Sequence, residues 1–278
     1  MKRMLVLGSS GQIGSALCNY LKELKYDVRE FDIVKNPTHD LREKSSYLDW
    51  EIGICDFVFF LAFDVGGSTY LKTYQHTFQF MDNNVRLMQV TFDALQRYKK
   101  PFIFASSQMS NMSFSSYGML KNLGELYTKS LNGIVIKLWN VYGVEHDPSK
   151  THVITDFVKM ALEKKQITMR TDGEEERQLL YARDCSEALL TISEKYNEIP
   201  RDKELHIAPF KWVKILDIAK NIAILCDNIP IVVGKDVDSV QRGQKNEPDP
   251  YILSMWKPTT TIEDGIKNIV EYYKNASK

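Results

Sequence analysis

The chain has 278 residues, about twice the usual single-domain length and a size that compact α/β folds with an added lobe commonly reach. Apolar residues make up 44% and charged residues 26%, near the globular average, which excludes a disordered, collagen-like or coiled-coil chain. Thirty-six basic side chains balance thirty-six acidic ones, so the electrostatic footprint of a nucleic-acid or anionic-membrane binder is missing and neither partner is expected.

In chain order, apolar runs bounded by turn residues alternate with segments of helical period, the pattern of parallel β-α-β units and of a doubly wound α/β sheet of Rossmann type. Strands are predicted at residues 4–7, 28–32, 57–61, 102–105 and 134–138, with helices at 13–24, 84–98 and 117–131. The second of these helices stops before Pro101, which cannot continue it. Beyond Tyr142 the alternation loosens. A helix at 153–164, a turn at Asp172 and Gly173, a strand at 178–181, helices at 184–194 and 214–225, a strand at 229–233 and a closing helix at 262–274 are expected there. The division that follows is a dinucleotide-binding domain at 1–140, to which 177–206 returns, and a smaller, mainly substrate-binding lobe at 141–278. Glu174, Glu175 and Glu176 read as a solvated turn.

Cys18, Cys55, Cys185 and Cys226 are scattered without a C-x-x-C pair or histidine partners, so no metal site and no disulfide framework is signalled. The longest apolar run, 57–63, is far short of a membrane span, and a cytoplasmic protein with reduced thiols is expected.

Gly8-Ser9-Ser10-Gly11-Gln12-Ile13-Gly14 follows the first strand and opens the first helix, with glycines where a pyrophosphate must approach the backbone closely. The helix N-terminus then offers unpaired amides and a positive dipole end to the phosphates. Asp32 ends the second strand about twenty residues on, where a carboxylate accepts hydrogen bonds from the adenosine ribose. A 2'-phosphate would meet a like charge there, so the cofactor expected is NAD rather than NADP, with Lys35 the one nearby counter-argument.

Tyr117 and Lys121 stand four apart on one helical face, so the cation can favour the phenolate and lower its pKa, making a general base near neutral pH. With so many tyrosines and lysines, on the order of one such pair arises by chance. Placement decides: the pair begins a helix just after a strand whose C-terminal end carries Ser106 and Ser107, and ligands of open α/β sheets lie beyond those ends.

With these motifs the chain resembles the extended short-chain dehydrogenase/reductase family, in particular its nucleotide-sugar epimerases and dehydratases, over nearly its whole length. Gly8, Gly11 and Gly14 match the family's G-x-x-G-x-x-G, within which Ser10, Gln12 and Ile13 are implied cofactor contacts. Asp40-Leu41-Arg42 is similar to a D-L-R segment whose aspartate contacts adenine, and Leu61-Ala62-Phe63 with Gly66-Gly67 to a strand end beside the cofactor. Asn84 resembles the asparagine that opens the next helix. The resemblance implies Ser107, Tyr117 and Lys121 as catalytic residues, the last two also touching cofactor. It implies Asn140, in Asn140-Val141-Tyr142-Gly143, and Arg177, in an R-x-x-x-Y-x-x-D stretch with Tyr181 and Asp184, as substrate contacts; Arg242 resembles a later arginine for the second phosphate. His152 stands where one family branch has a histidine acid, and reads either as a substrate contact or as a cap residue of the helix beside it.

What the resemblance implies is proton removal by Tyr117 from a sugar hydroxyl while hydride passes to NAD, giving a keto-sugar. Gln108 and Met109 follow Ser107 where the 4,6-dehydratases carry an Asp-Glu pair, so elimination of water is disfavoured. The expected activity is a nucleotide-sugar epimerase acting at C4. A nucleotide-4-keto-sugar reductase or dehydrogenase is the alternative, and a non-catalytic dinucleotide-sensing module a third. Family dimers pair two helices of each subunit in a four-helix bundle, which implies a homodimer here; Met88, Phe92 and Leu95 are spaced either to supply its apolar stripe or to pack on the sheet.

Overall fold

The computed structural model describes residues 2–237 and 246–276. The chain runs β1 (Arg3–Leu7), α1 (Gln12–Glu23), β2 (Asp27–Phe31), α2 (Ser46–Ile54), β3 (Phe57–Phe60), α3 (Ser68–Tyr74), α4 (Phe78–Tyr98), β4 (Phe102–Ser107), α5 (Ser116–Ser130), β5 (Ile134–Leu138) and β6 (Asn140–Tyr142). It continues through α6 (Val153–Lys164), β7 (Ile167–Thr168), β8 (Glu176–Arg177), β9 (Leu179–Tyr181), α7 (Ala182–Glu194), β10 (Leu205–Ile207), β11 (Val213–Lys214), α8 (Ile215–Leu225), β12 (Ile231–Val232) and α9 (Ile262–Ala276).

A six-stranded sheet has the order β10-β5-β4-β3-β1-β2, and every pairing in it is parallel. Its central strands are buried along their whole length, β3 as Phe57 to Phe60 and β4 as Phe102 to Ser107. That requires cover on both faces. Leu17, Cys18 and Leu21 of α1 and Ala188, Leu189 and Ile192 of α7 cover one face. Leu48 and Ile52 of α2, Met88, Phe92 and Leu95 of α4 and Leu120 of α5 cover the other. The order reverses between β1 and β3, and the crevice at such a switch point is where open α/β sheets take their ligands. A third core joins α6, α8 and α9 with β7 and β9, through Ile154, Val158, Ile218, Ile222, Ile266 and Ile269.

The doubly wound reading holds, with differences at particular elements. The helix expected from residue 84 begins at Phe78, because Thr77 caps it by accepting from the Phe80 amide at 3.3 Å. Asn84 therefore lies inside α4 rather than opening it, and its buried amide ties the helix to the Asp64 backbone, accepting from N at 2.7 Å and donating to O at 3.1 Å. Met88, Phe92 and Leu95 are buried against the sheet, so they are not a stripe open to a second subunit. The Glu174 to Glu176 run is only partly a solvated turn: Glu174 is exposed, Glu175 accepts from Thr171 Oγ1 at 2.6 Å, and Glu176 sits in β8.

Asp184, at the start of α7, is 1% exposed and fastens the segment leading into α9. It accepts from the Thr260 amide and Thr260 Oγ1, both at 2.9 Å, and from Thr259 Oγ1 at 3.3 Å. Asp184→Ala leaves those donors without a charged acceptor and is expected to cost about 2–3 kcal/mol, read as a lower melting temperature; an unchanged melt would show that the tie carries no stability.

Candidate active site

Past Leu7 the chain turns at Gly8 with φ +86°, and a Cβ there would meet the Ala62 backbone at 2.7 Å. A Cβ on Gly14 would lie 2.1 Å from Gly8 O, so the turn and α1 approach more closely than a side chain allows. The hydroxyl oxygens of Ser9 and Ser10 are buried here without a partner. Orphaned hydroxyls at the positive end of a helix fit a pyrophosphate group, and the residues present fit a dinucleotide. Asp32 closes the far side, accepting from the Ser10 amide at 2.8 Å and the Val34 amide at 2.9 Å. Lys35, the counter-argument to NAD, is paired with Glu30. The amide of Gln12, in the orientation that satisfies both partners, bridges Val141 O and Gly143 N at 3.1 Å each and joins this loop to the turn after β6.

The sequence-predicted residues converge on one cavity of about 1330 Å³. Gly8, Ser10, Gly11, Gln12, Ile13, Gly14, Asp32, Asp40, Leu41, Leu61 and Ala62 line one end, and Ser107, Tyr117, Lys121, Asn140, His152 and Arg177 line the rest. Arg242 lies outside the described residues. Asp40 is clasped by Arg42, whose Nη2 donates at 2.7 Å and holds the carboxyl below its ordinary range.

At the reacting end, Ser115 caps α5 by accepting from the Gly118 amide at 3.1 Å, and so sets the height of Tyr117 on its first turn. Tyr117 and Lys121 are buried, at 9% and 3% exposure. Burial pushes the phenol up to about 12, against a hydrogen bond with Ser107 that lowers it. The same burial drives the Lys121 amine down to about 7, with the Glu125 carboxylate opposing. The expectation that the lysine lowers the tyrosine's pKa is therefore not met in the protein alone. The amine is aimed elsewhere, donating to Ala105 O at 2.6 Å and standing 3.7 Å over the Phe63 ring.

Two clusters in the cavity wall went unseen in the sequence. Asp64 accepts from Tyr70 Oη at 2.7 Å, Lys150 Nζ at 2.9 Å and Asn83 Nδ2 at 3.1 Å. Burial raises its carboxyl, but these bonds outweigh it and hold the group below its ordinary value. Glu145, 8% exposed, accepts from His152 N at 2.9 Å and meets His152 Nδ1 at 2.5 Å, which makes His152 half of a carboxylate–imidazole pair as well as the N-cap position of α6. Burial raises the Glu145 carboxyl as well, and the histidine outweighs it. The Asp64 cluster draws Lys150 from 86 residues away, and the Glu145–His152 pair, seven residues apart, closes across a loop at a spacing that marks no helix or strand face. Among the described residues no group of metal-ligating side chains is found, and no helix is long and apolar enough to cross a membrane.

A parallel sheet whose crevice carries such a loop, with a Ser, Tyr and Lys at its other end, defines a dinucleotide-dependent enzyme of the short-chain type. The model of the NAD dependent epimerase/dehydratase family matches residues 4–208, more than half of the chain, and the protein belongs to that family of enzymes, with NAD as its cofactor. The chain is 24% identical to a putative UDP-glucose 4-epimerase of Methanocaldococcus jannaschii, over 99% of each chain. Solved epimerase structures share the fold. The UDP-glucose 4-epimerase of Thermotoga maritima, solved with UDP-glucose, has a TM-score of 0.82 and 19% identity, covering 99% of this chain and 100% of that one. The UDP-glucose 4-epimerase of Thermus thermophilus, solved with NAD, has a TM-score of 0.78 and 17% identity over 99% of each.

Lys121 also makes stability depend on pH. Its folded pKa, about 7, lies below the ordinary 10.5, so between those values the unfolded chain binds more protons and stability rises with pH. Lys121→Met is expected to stabilise the cofactor-free protein most below about pH 7, the gain shrinking as pH climbs toward 10.5. Denaturant melts across that range check it, and a gain independent of pH contradicts it.

Proposed function

We propose that the protein is an NAD-dependent nucleotide-sugar epimerase acting at C4 through a transient keto-sugar. The observation that carries this reading is the meeting of Ser107, Tyr117 and Lys121 on the wall of the cavity that also holds the glycine turn. In it Tyr117 is the general base for a sugar hydroxyl, and Ser107, whose hydroxyl favours the phenolate, holds the same oxygen. NAD, held by the Gly8–Gly14 turn and Asp32, would supply the acceptor and donor of the hydride. Lys121 supplies positive charge beneath the phenolate as it forms. Gln108 and Met109 beside Ser107 offer no acid/base pair for eliminating water, which speaks for epimerisation over dehydration. Asn140 and Arg177 are read as substrate contacts, in the part of the cavity shared with α6, and the cofactor part as residues 1–140 with 177–206. Four buried, unpaired cysteines fit a cytoplasmic setting.

A second reading, a keto-sugar reductase or dehydrogenase of the same family, draws support from the Glu145–His152 pair, an ionisable couple in the cavity wall for which simple C4 epimerisation has no use. Cofactor retention separates the two: an epimerase is expected to purify with bound dinucleotide, a reductase to consume added NADH with a keto-sugar.

The homodimer we propose uses other side chains than Met88, Phe92 and Leu95. Phe78, Met81 and Val85 on α4 and Met119, Leu123 and Leu126 on α5 are exposed, Phe78 at 77% and Leu126 at 60%, and these helices pack side by side. Exposed apolar area of this kind marks an interface.

Thermal melts with UDP-, GDP- and dTDP-sugars test the substrate class, since a ligand bound only by the native state raises apparent stability; no shift with any of them contradicts it. Tyr117→Phe is expected to keep NAD binding while lowering turnover by about 10²–10⁴-fold, and unaltered turnover would remove Tyr117 from its role. In sedimentation the native chain is expected to run as a dimer and Leu126→Glu as a monomer; a native monomer contradicts the interface.

A further inference from the structure

Three charged side chains are buried beneath the reacting end: Lys121 at 3% exposure, Glu125 at 4% and Lys137 at 2%. Of these only Lys121 lines the large cavity, so Glu125 and Lys137 have no part in the reaction as read so far. An ion held out of water costs several kcal/mol unless it is matched. The fold matches Glu125 closely. Ser106, at the end of β4, donates to its Oε1 at 2.5 Å, and Lys137 Nζ on β5 lies 3.8 Å from Oε2. Lys137 is itself paired with Glu204 at 3.0 Å, and Glu204 faces His206 Nε2 at 3.2 Å.

Glu125 stands one helical turn beyond Lys121, the spacing that puts two side chains on one face. The partners of the Lys121 amine, Ala105 O and the Phe63 ring, carry no full charge. Burial works against the ammonium, and Glu125 is the negative charge that opposes it. We propose that Glu125 is a positioning residue for the reaction: its carboxylate, fixed by Ser106 and Lys137, keeps the buried Lys121 amine charged so that the amine can support the Tyr117 phenolate. This rests on the reading of Tyr117 as the base.

The titratable groups that face Glu125 are Lys121 from its own helix and Lys137 from β5, with Glu204 and His206 behind Lys137. β4 contributes the Ser106 hydroxyl. Met88 of α4, which meets α5 at Gly124, is uncharged, as are the four residues of the turn Gln108–Asn111.

The test is the titration of Lys121 itself, followed by NMR of protein carrying ¹³C at lysine Cε, with the signal assigned by its loss in Lys121→Met. In Glu125→Gln the midpoint is expected to fall by about one pH unit, roughly a tenfold change in the ratio of charged to neutral amine. A merely structural role would lower the melting temperature and leave the midpoint in place. Should Glu125→Gln fail to fold, Glu125→Gln/Lys137→Met removes both members of the buried pair, a replacement that often preserves stability, and the same fall is expected when it is compared with Lys137→Met, which subtracts the loss of the second cation. An unmoved midpoint in either variant overturns the proposal. The titration needs neither cofactor nor sugar nucleotide. An unmoved midpoint in an active epimerase therefore defeats this inference alone, and a moved one in a protein that turns over no nucleotide sugar defeats the functional reading alone.

Discussion

An ammonium shut away from water is costly, and the Lys121 side chain is shut away with one carbonyl acceptor, two phenylalanine rings and a carboxylate one turn away to hold it. Its placement depends on β4 ending at Ser107, on Ser115 starting α5, and on Gly124, where a Cβ would strike the Phe104 ring at 2.3 Å. A bulkier residue there would lift α5 off the sheet and carry Tyr117 away with it. The packing of the sheet and the chemistry of the site are one constraint seen at two scales.

The cavity is closed on its other side by contacts that span the chain. Gly67 donates to Lys150 O at 3.1 Å and leaves no room for a Cβ, which would fall 2.2 Å from Thr151 O. The Asp64–Lys150 ion pair lies beside this approach, and His152 follows two residues later on Glu145. The loop after β3 thus fixes the segment that presents the imidazole, and the glycine pair matched by resemblance acts here through close packing.

Where local chemistry sets the structure, the sequence was readable. The strand-turn-helix at Gly8 to Gly14, the helix 153–164 and the strand 134–138 follow from turn residues and periodicity, and the Tyr117–Lys121 spacing follows from helical geometry. The helices α2 and α3 were missed because each buries too little to show a stripe: Leu48 and Ile52 in one, Leu71 in the other. β10 was missed as a three-residue strand whose identity comes from pairing with β5. Asp64 and Lys137 find partners across the fold, and Glu145 meets His152 over a seven-residue loop that has no regular period, so no helix or strand pattern announces them. Glu125 had a signal, since Tyr117, Lys121 and Glu125 repeat at four residues along one helix face. The pKa of Tyr117 was misjudged because spacing shows a neighbouring charge and conceals the burial that outweighs it.

The central claim is that burial holds the Tyr117 phenol protonated in the protein alone and that its pKa falls when the crevice is filled; NAD, held along the glycine turn from Gly8 to Gly14, would supply positive charge there. Ultraviolet titration of the phenol, taken as the difference between the native protein and a Tyr117→Phe control, measures this with and without NAD. The account expects a midpoint near 12 in the protein alone and one well below it with NAD bound; a midpoint unmoved by saturating NAD would contradict it.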